Sequence, residues 1–440
     1  MIKETLASSC LNPMALICSS SKNYIDLSCI DSVNMELETV TIDEETYTRC
    51  RCKEKHTFYN AGTSQCLFGG SASASFALTS GTTTLQSRSI DFMYTSKTPN
   101  QLFMASTSER TNQLFVFQDN KLNQANLFES VTLDNTGGFF WNTIVCDGDK
   151  MSCVDGTDRL WRVRYSFTTR AQFGFFKNPG FAQSSAGGPA SWFRVKKVFG
   201  RDYVIAGGKT HQAGFAGGSN LLVRANFAMT QADINEFNFN CAGNLVDIST
   251  VKIASSPYFL AVSDSNGVQY NYEIFDHTSS NPNSVASQIT VPNPVSDNTR
   301  PRCLDFDWSG EDRILRLSND GRIALSTGYQ TLNVITDVFS YLIPQAASAN
   351  EIMWIPFTDL AAIGTYTGSV IFTSAVTDQL QSRIYVFQHT NNQLVRLYHI
   401  PRRSEIAVLF FSPGASTIQT FEISQAKCQH PLALTCDAKN

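Results

Sequence analysis

Charge is scarce in this sequence: Asp, Glu, Lys and Arg make up 16% of its 440 residues, against about a quarter in an average globular chain. Hydrophobic residues reach 42%, enough to bury a core, so a disordered chain is excluded. The net charge is −4 and the pI near 5.9. The basic footprint of a nucleic-acid binder is therefore missing. No run of about 18 apolar residues occurs, which leaves no helix able to span a membrane. Sustained helical periodicity is missing too; QAASANEI and FAMTQADINE come nearest, and both are short. None of the thirty asparagines stands in an N-x-[ST] acceptor. That counts against an ordinary secreted glycoprotein and suits a surface covered by contacts.

Catalytic signatures are equally sparse. There is no G-x-S-x-G and no H-E-x-x-H, and the six histidines are scattered without ligand spacing. Gly208-Lys209-Thr210 ends like a phosphate-binding loop, but the first glycine of that motif would fall on Tyr203. Asp305, Asp307 and Ser309 before Gly310 open like a calcium loop, but Arg316 stands where the closing acid belongs. No catalytic residue, cofactor or metal is assigned. Asp91, Asp247, Asp305 and Asp307 lie near the starts of strands, where carboxylates more commonly serve as structural hydrogen-bond partners.

What is present is strand. From residue 70 onward, short runs rich in Val, Ile, Phe, Tyr and Thr alternate with Gly, Asn, Asp, Ser and Pro clusters. LFMASTSERTNQLFVFQ at 102–118 aligns with VIFTSAVTDQLQSRIYVFQ at 370–388. Leading strands recur as SIDFMYT near 89, FFWNTIVC at 139, WFRVKKVF at 192, LVDISTVKI at 245, RCLDFDW at 302, EIMWIPF at 351 and EIAVLFF at 405. Seven copies of about 50 residues, four strands each, predict an all-β fold of the β-propeller type with seven four-stranded blades. Two separate β-sandwiches are the competing architecture. Residues 71–86 lack a leading strand and the last copy is incomplete, so the two ends are expected to share one blade and close the ring.

Twelve cysteines divide unevenly. Cys10, Cys18, Cys29, Cys50, Cys52 and Cys66 crowd the first 66 residues, a density that reads as a disulfide-stapled module. Cys50-Arg-Cys52, then a turn-rich loop with an aromatic pair and a glycine, then Cys66, resembles the end of an EGF-like module; the 20-residue gap between Cys29 and Cys50 is long for that family. Another disulfide knot remains open, as does a zinc site using Cys50, Cys52, His56 and Cys66. Cys146 and Cys153 flank a hairpin turn and are expected to face each other; Cys428 and Cys436 bracket QHPLALT near the end. No secretory leader is visible, because Lys3 and Glu4 follow Met1 closely and MALIC is too short for one. With so many cysteines, the numbering is expected to start after processing or within a longer chain.

The expected layout is a cysteine-rich EGF-like module at 1–69, a propeller at 70–426 and a cysteine-bearing tail at 427–440. The glycine-rich run 207–220 reads as a long loop, which makes Lys209, His211 and Phe215 contact candidates. The expected function is non-enzymatic: protein interaction, adhesion or filament-like assembly at the cell surface or outside the cell. Its partner would be a protein or further copies of itself, with no nucleic acid and no membrane span. A propeller-type carbohydrate-active enzyme and an intracellular scaffold with reduced thiols are the alternatives.

Overall fold

The computed structural model describes residues 18–19, 33–42, 45–53, 58–60, 65–67, 74–80, 83–95, 98–107, 113–118, 126–132, 143–147, 152–156, 160–166, 171–177, 190–198, 201, 203–210, 220–226, 237–239, 244–250, 258–265, 269–278, 285–292, 301–306, 312–328, 336–355, 360–375, 385–389, 394–400, 405–412 and 414–422. Among them the chain is almost entirely strand, with no α-helix and hence no helix long and apolar enough to cross a membrane. The one helical turn, a 3-10 segment at Pro344–Ser348, falls at the start of QAASANEI. FAMTQADINE lies outside the described residues.

Seven four-stranded antiparallel sheets follow one another along the chain. Their leading strands are Ile90–Thr95, Thr143–Asp147, Ala190–Lys197, Asn244–Thr250, Pro301–Phe306, Ala349–Trp354 and Leu394–His399. In the first six sheets, strands neighbour each other in chain order. The seventh is completed by an early segment: Ala74–Ala77 pairs antiparallel with Ala415–Glu422, Phe76 opposite Ile418. Each leading strand packs beside the next, and that of the seventh sheet packs beside that of the first, so the series closes on itself. The closure is reinforced at the linker, where Ser87 N–H donates to Ser416 Oγ at 2.7 Å and Ser416 Oγ–H donates to the Ser87 carbonyl at 2.9 Å.

The core lies between neighbouring sheets. One apolar cluster joins Ile90, Phe92, Leu102 and Met104 of the first sheet to Ala407, Leu409 and Ile418 of the seventh. Another joins Leu315, Leu317 and Leu325 of the fifth to Ile352, Trp354 and Ile363 of the sixth. This explains the sequence pattern. Middle strands are covered on both faces and lose alternation: Leu360–Thr365 and Ser369–Ser374 are buried at every position. The outer strand Thr336–Leu342 is exposed at most positions. Burying each large side chain in these clusters stabilises the fold by about 1.5–3 kcal/mol.

Two sequence expectations need correction. The seventh leading strand is Leu394–His399; EIAVLFF belongs to the second strand of that sheet, Glu405–Ser412. The 102–118 and 370–388 alignment is out of phase by one strand, because Val116-Phe117-Gln118 ends a third strand and Val386-Phe387-Gln388 a fourth. Consecutive strands of an antiparallel meander share one composition, so a one-strand slip keeps the apparent match.

Before the seven sheets, Cys18–Ser19, Glu45–Cys52 and Met35–Ile42 form a three-stranded sheet, and Phe58–Asn60 pairs with Gln65–Leu67. Cys146 stands directly opposite Cys153 in the strand register. Cys303 is a buried free thiol.

Ser318-Asn319-Asp320-Gly321 turns the chain between the paired strands Arg313–Ser318 and Arg322–Thr327, and Asn-Asp-Gly is a sequence that favours such a tight turn. Gly321 has φ +87°, and a Cβ there would fall 2.2 Å from the Ile343 carbonyl oxygen. Gly321→Ala is expected to cost about 2–4 kcal/mol, above the usual glycine effect because strain and collision add. Urea unfolding of the variant beside wild type measures it; an unchanged midpoint would show that the turn is free to move.

Candidate functional site

The innermost strand of each sheet has backbone N–H groups on a side where no further strand pairs with it. Such donors must be satisfied once buried, and at five of the seven seams side chains on or beside the preceding leading strand do so. Ile144 N–H donates to Ser89 Oγ at 2.9 Å, and Cys146 N–H to Asp91 Oδ2 at 2.6 Å. Leu304 N–H donates to Asp247 Oδ2 at 3.0 Å, and Trp354 N–H to Asp305 Oδ2 at 2.9 Å. Leu397 N–H donates to Glu351 Oε2 at 3.1 Å. Between the seventh and first sheets, Ile90 N–H donates to Tyr398 OH at 3.2 Å. The remaining carboxylate oxygens are also engaged: Asp91 Oδ1 accepts Phe92 N–H, Asp247 Oδ1 accepts Ile248 N–H, and Asp305 Oδ1 accepts Ser249 Oγ–H.

A second set of contacts crosses the interior of the ring. Arg194 of the third sheet donates from Nε to Asp247 Oδ1 of the fourth at 2.9 Å, and from Nη2 to the Asn350 carbonyl of the sixth at 2.8 Å. Lys196 Nζ lies 3.9 Å from Glu351 Oε1, again linking third to sixth. Asn350 Nδ2 donates to the Val395 carbonyl at 3.2 Å. One backbone device places these groups. In sheets three to six the leading strand carries an irregularity at one place, between Trp192 and Arg194, Leu245 and Asp247, Pro301 and Cys303, and Ala349 and Glu351. A bulge inserts one unpaired residue and re-aims the next. Arg194, Asp247, Cys303 and Glu351 each directly follow one.

The electrostatics fit a closed network. Burial opposes the Arg194 charge, but Asp247 and Glu351 outweigh it and raise its pKa above the ordinary value. Burial, then the Asp247 carboxylate, pushes the Cys303 thiol well up, so it stays protonated and unreactive. Burial raises Tyr398 to about 12, keeping its hydroxyl intact. Asp91 is the exception in range: loss of water raises it from 3.8 to about 6, against the opposing Cys146 N–H and Lys197 charge. Among the described residues, no three His, Cys, Asp or Glu side chains converge as a metal site.

Of the residues singled out from sequence, three carboxylates join this cluster and the loop candidates do not. Asp91, Asp247 and Asp305 occupy it as hydrogen-bond partners of neighbouring sheets, which also accounts for the calcium-like opening at Asp305. Lys209 is not in a loop: it lies within the strand Tyr203–Thr210, opposite Ser191 on one side and Asn220 on the other. Two glycines of that run, Gly207 and Gly208, belong to the same strand because a middle strand leaves little room; a Cβ on Gly207 would sit 2.5 Å from Leu245. His211, Phe215, Asp307, Cys10, Cys29, Cys428 and Cys436 lie outside the described residues. Cys18, Cys50, Cys66 and Cys153 are placed only as strand backbone.

Sequence reasoning missed Arg194, Lys196, Glu351 and Asn350. Their signal was a charge or amide inside an apolar strand, and the bulge hid it by breaking the alternation on which strand faces are read. A second missed cluster joins the third and fourth sheets: His277, fully buried, shares a hydrogen bond through Nδ1 with Tyr203 OH, and Arg224 donates to the His277 carbonyl.

No protein-family model matches this sequence, and no curated relative does. Among solved structures, Raptor from Chaetomium thermophilum is similar in fold, with 12% sequence identity and a TM-score of 0.55. The match covers 85% of this chain and 29% of that one, so the chain spans under a third of the length of Raptor. At that identity the likeness is one of fold.

Two outcomes follow from the cluster. Arg194→Met leaves the buried Asp247 carboxylate without its partner and is expected to cost about 3–5 kcal/mol, with Arg194→Met/Asp247→Asn recovering part of it; chemical unfolding of both variants reads this. Asp91 holds its proton more tightly folded than unfolded, so its contribution to stability is full below pH 3.8 and lost as pH rises through about 6. Asp91→Asn should remove that slope from a wild-type minus variant plot of unfolding free energy against pH, and parallel curves would contradict it.

Proposed function

We propose that the seven sheets are the blades of a β-propeller, and that the chain is a non-enzymatic interaction and assembly protein working outside the cytoplasm. Closure of the sheet series by Ala74–Ala77 and the cycle of leading strands support the propeller. The observation that carries the functional reading is the engagement of the leading-strand acids. Asp91, Asp247, Asp305 and Glu351 each accept an N–H from the next sheet, and Arg194 bridges the interior. A propeller hydrolase needs an unengaged pair of carboxylates flanking its substrate. Here those positions serve the scaffold, which leaves the loops as the place for contacts. The partner class is protein, including further copies of the chain.

A bridge between Cys146 and Cys153, which face each other across a strand pair, belongs to this reading and would go with an oxidising compartment. The EGF-like reading of the N-terminal module rests on Cys50 and Cys52 within one strand, followed by the hairpin Phe58–Asn60 and Gln65–Leu67, which carries Cys66. Cysteine arithmetic adds a further point. Of twelve cysteines Cys303 is free, and the remaining eleven cannot all pair within one chain. At least one more is therefore a free thiol or is bridged to a cysteine outside these 440 residues.

Alkylation of the denatured, unreduced protein followed by mass measurement tests the compartment. Two labels, or one label with a covalent dimer on a non-reducing gel, is the expected result; labelling at most of the twelve would move the protein to a reducing compartment. Sedimentation of native material tests assembly: mass above 48.6 kDa at high concentration is expected, and a monomer at every concentration would sink the assembly part of the reading.

A further inference from the structure

The third and fourth sheets meet over an apolar cluster of Val198, Ile205, Leu222, Leu245, Ile248 and Phe275. At its margin stand three polar residues that the leading-strand network does not use. Tyr203 and Arg224 come from the second and third strands of the third sheet, and His277 directly follows the third strand of the fourth. The Tyr203 and His277 rings meet edge to face at 5.5 Å, and their polar atoms share a hydrogen bond at Nδ1. The Arg224 guanidinium lies 5.4 Å from the Tyr203 ring centre and donates to the His277 carbonyl. A cation is thus held against a histidine with 0% exposure. The other charged or titratable groups on these strands are Lys209, Tyr270, Tyr272, Glu273 and Asp276, with Arg201 before Tyr203 and Tyr258 opposite Asp276; the buried Glu273 accepts the Ser263 hydroxyl at 2.8 Å. Asp276 Oδ1 is engaged by Thr278 through its N–H and its hydroxyl.

We propose that Tyr203, His277 and Arg224 form an acid-sensitive latch that holds the third sheet against the fourth at neutral pH and releases it on acidification. A neutral imidazole is compatible with this site. A proton on it would place a second positive charge beside Arg224 on a fully buried ring, where charge burial and like-charge repulsion both oppose it. An imidazole ordinarily titrates near pH 6.5, so a fall from neutral to mildly acidic conditions supplies the trigger. Release would uncover the apolar cluster at this seam. The first-to-second seam responds with the opposite sign, since the Asp91 carboxyl gains its proton over the same range without destabilising the fold. Acid therefore acts oppositely on these two seams. This latch does not depend on the interaction reading above.

Hydrogen exchange of the full chain at pH 7.5 and 5.5, corrected for intrinsic rates, tests it. In wild type, peptides covering Tyr203–Thr210 and Gln269–Asp276 should lose protection on the order of tenfold or more at the lower pH, tenfold being one unit of pKa difference. Peptides covering Ile90–Thr95 and Thr143–Asp147 should not. His277→Gln, which keeps a neutral acceptor for Tyr203, should abolish the loss. Unchanged wild-type protection, or the same acid loss in His277→Gln, overturns the proposal. Should His277→Gln fail to fold, Arg224→Met takes its place: a smaller acid loss supports the latch, and an undiminished one overturns it.

Discussion

The architecture depends on one constraint, the unpaired backbone N–H groups along the innermost strand of each sheet. A strand in mid-sheet satisfies its donors through two neighbours. A leading strand has a ladder on one side only, and its other side lies beside the leading strand of a neighbouring sheet without pairing to it. Buried donors left so would cost about 1–3 kcal/mol each. Ser89, Asp91, Asp247, Asp305 and Glu351 resolve this by reaching across the seam, and Tyr398 does the same where the ring returns to its start. A carboxylate suits the task because it accepts several N–H bonds at once and makes them charge-assisted.

Those carboxylates require compensation, and the interior supplies it in one layer. Arg194 neutralises Asp247 and reaches the backbone of the sixth sheet, while Lys196 approaches Glu351. A buried ion pair adds little net stability over a well-packed apolar pair, but losing one partner is costly. Its value here is geometric, because Arg194 fixes three sheets relative to one another. The same layer limits chemistry. Acids held by backbone N–H groups and a thiol whose pKa is driven up are poor groups for proton transfer or nucleophilic attack.

The seams are not equivalent. Most are closed by apolar side chains from two sheets, as between the fifth and sixth around Trp354 and Leu317. The third-to-fourth seam adds a buried imidazole with a guanidinium beside it. Apolar contacts do not respond to pH, whereas titratable groups do. On the latch proposal, acid acts in opposite directions at the first-to-second seam, where Asp91 takes up a proton, and at the third-to-fourth.

Much of this was legible in the residues. Strand-rich periodicity, repeats of about 50 residues and an incomplete copy at each end point to repeated sheets closed by an early strand, because a repeat that cannot bury both its faces must stack on its neighbours. The Asp at 91 and 305 showed itself through its place in the leading strands, and the turn at Asn319-Asp320-Gly321 through local backbone preference. Strand phase was not legible in the last copy, since sequential strands of a meander are chemically alike. Nor was the interior layer. Arg194, Asp247, Cys303 and Glu351 share a position only because a bulge precedes each, and a bulge depends on how two strands pair. His277, Tyr203 and Arg224 lie 74 and 53 residues apart in the chain. Local composition therefore determined which segments are strands and that they repeat. Which side chains meet across a seam was decided by tertiary packing, because contacts between sheets depend on register and on closure of the whole ring.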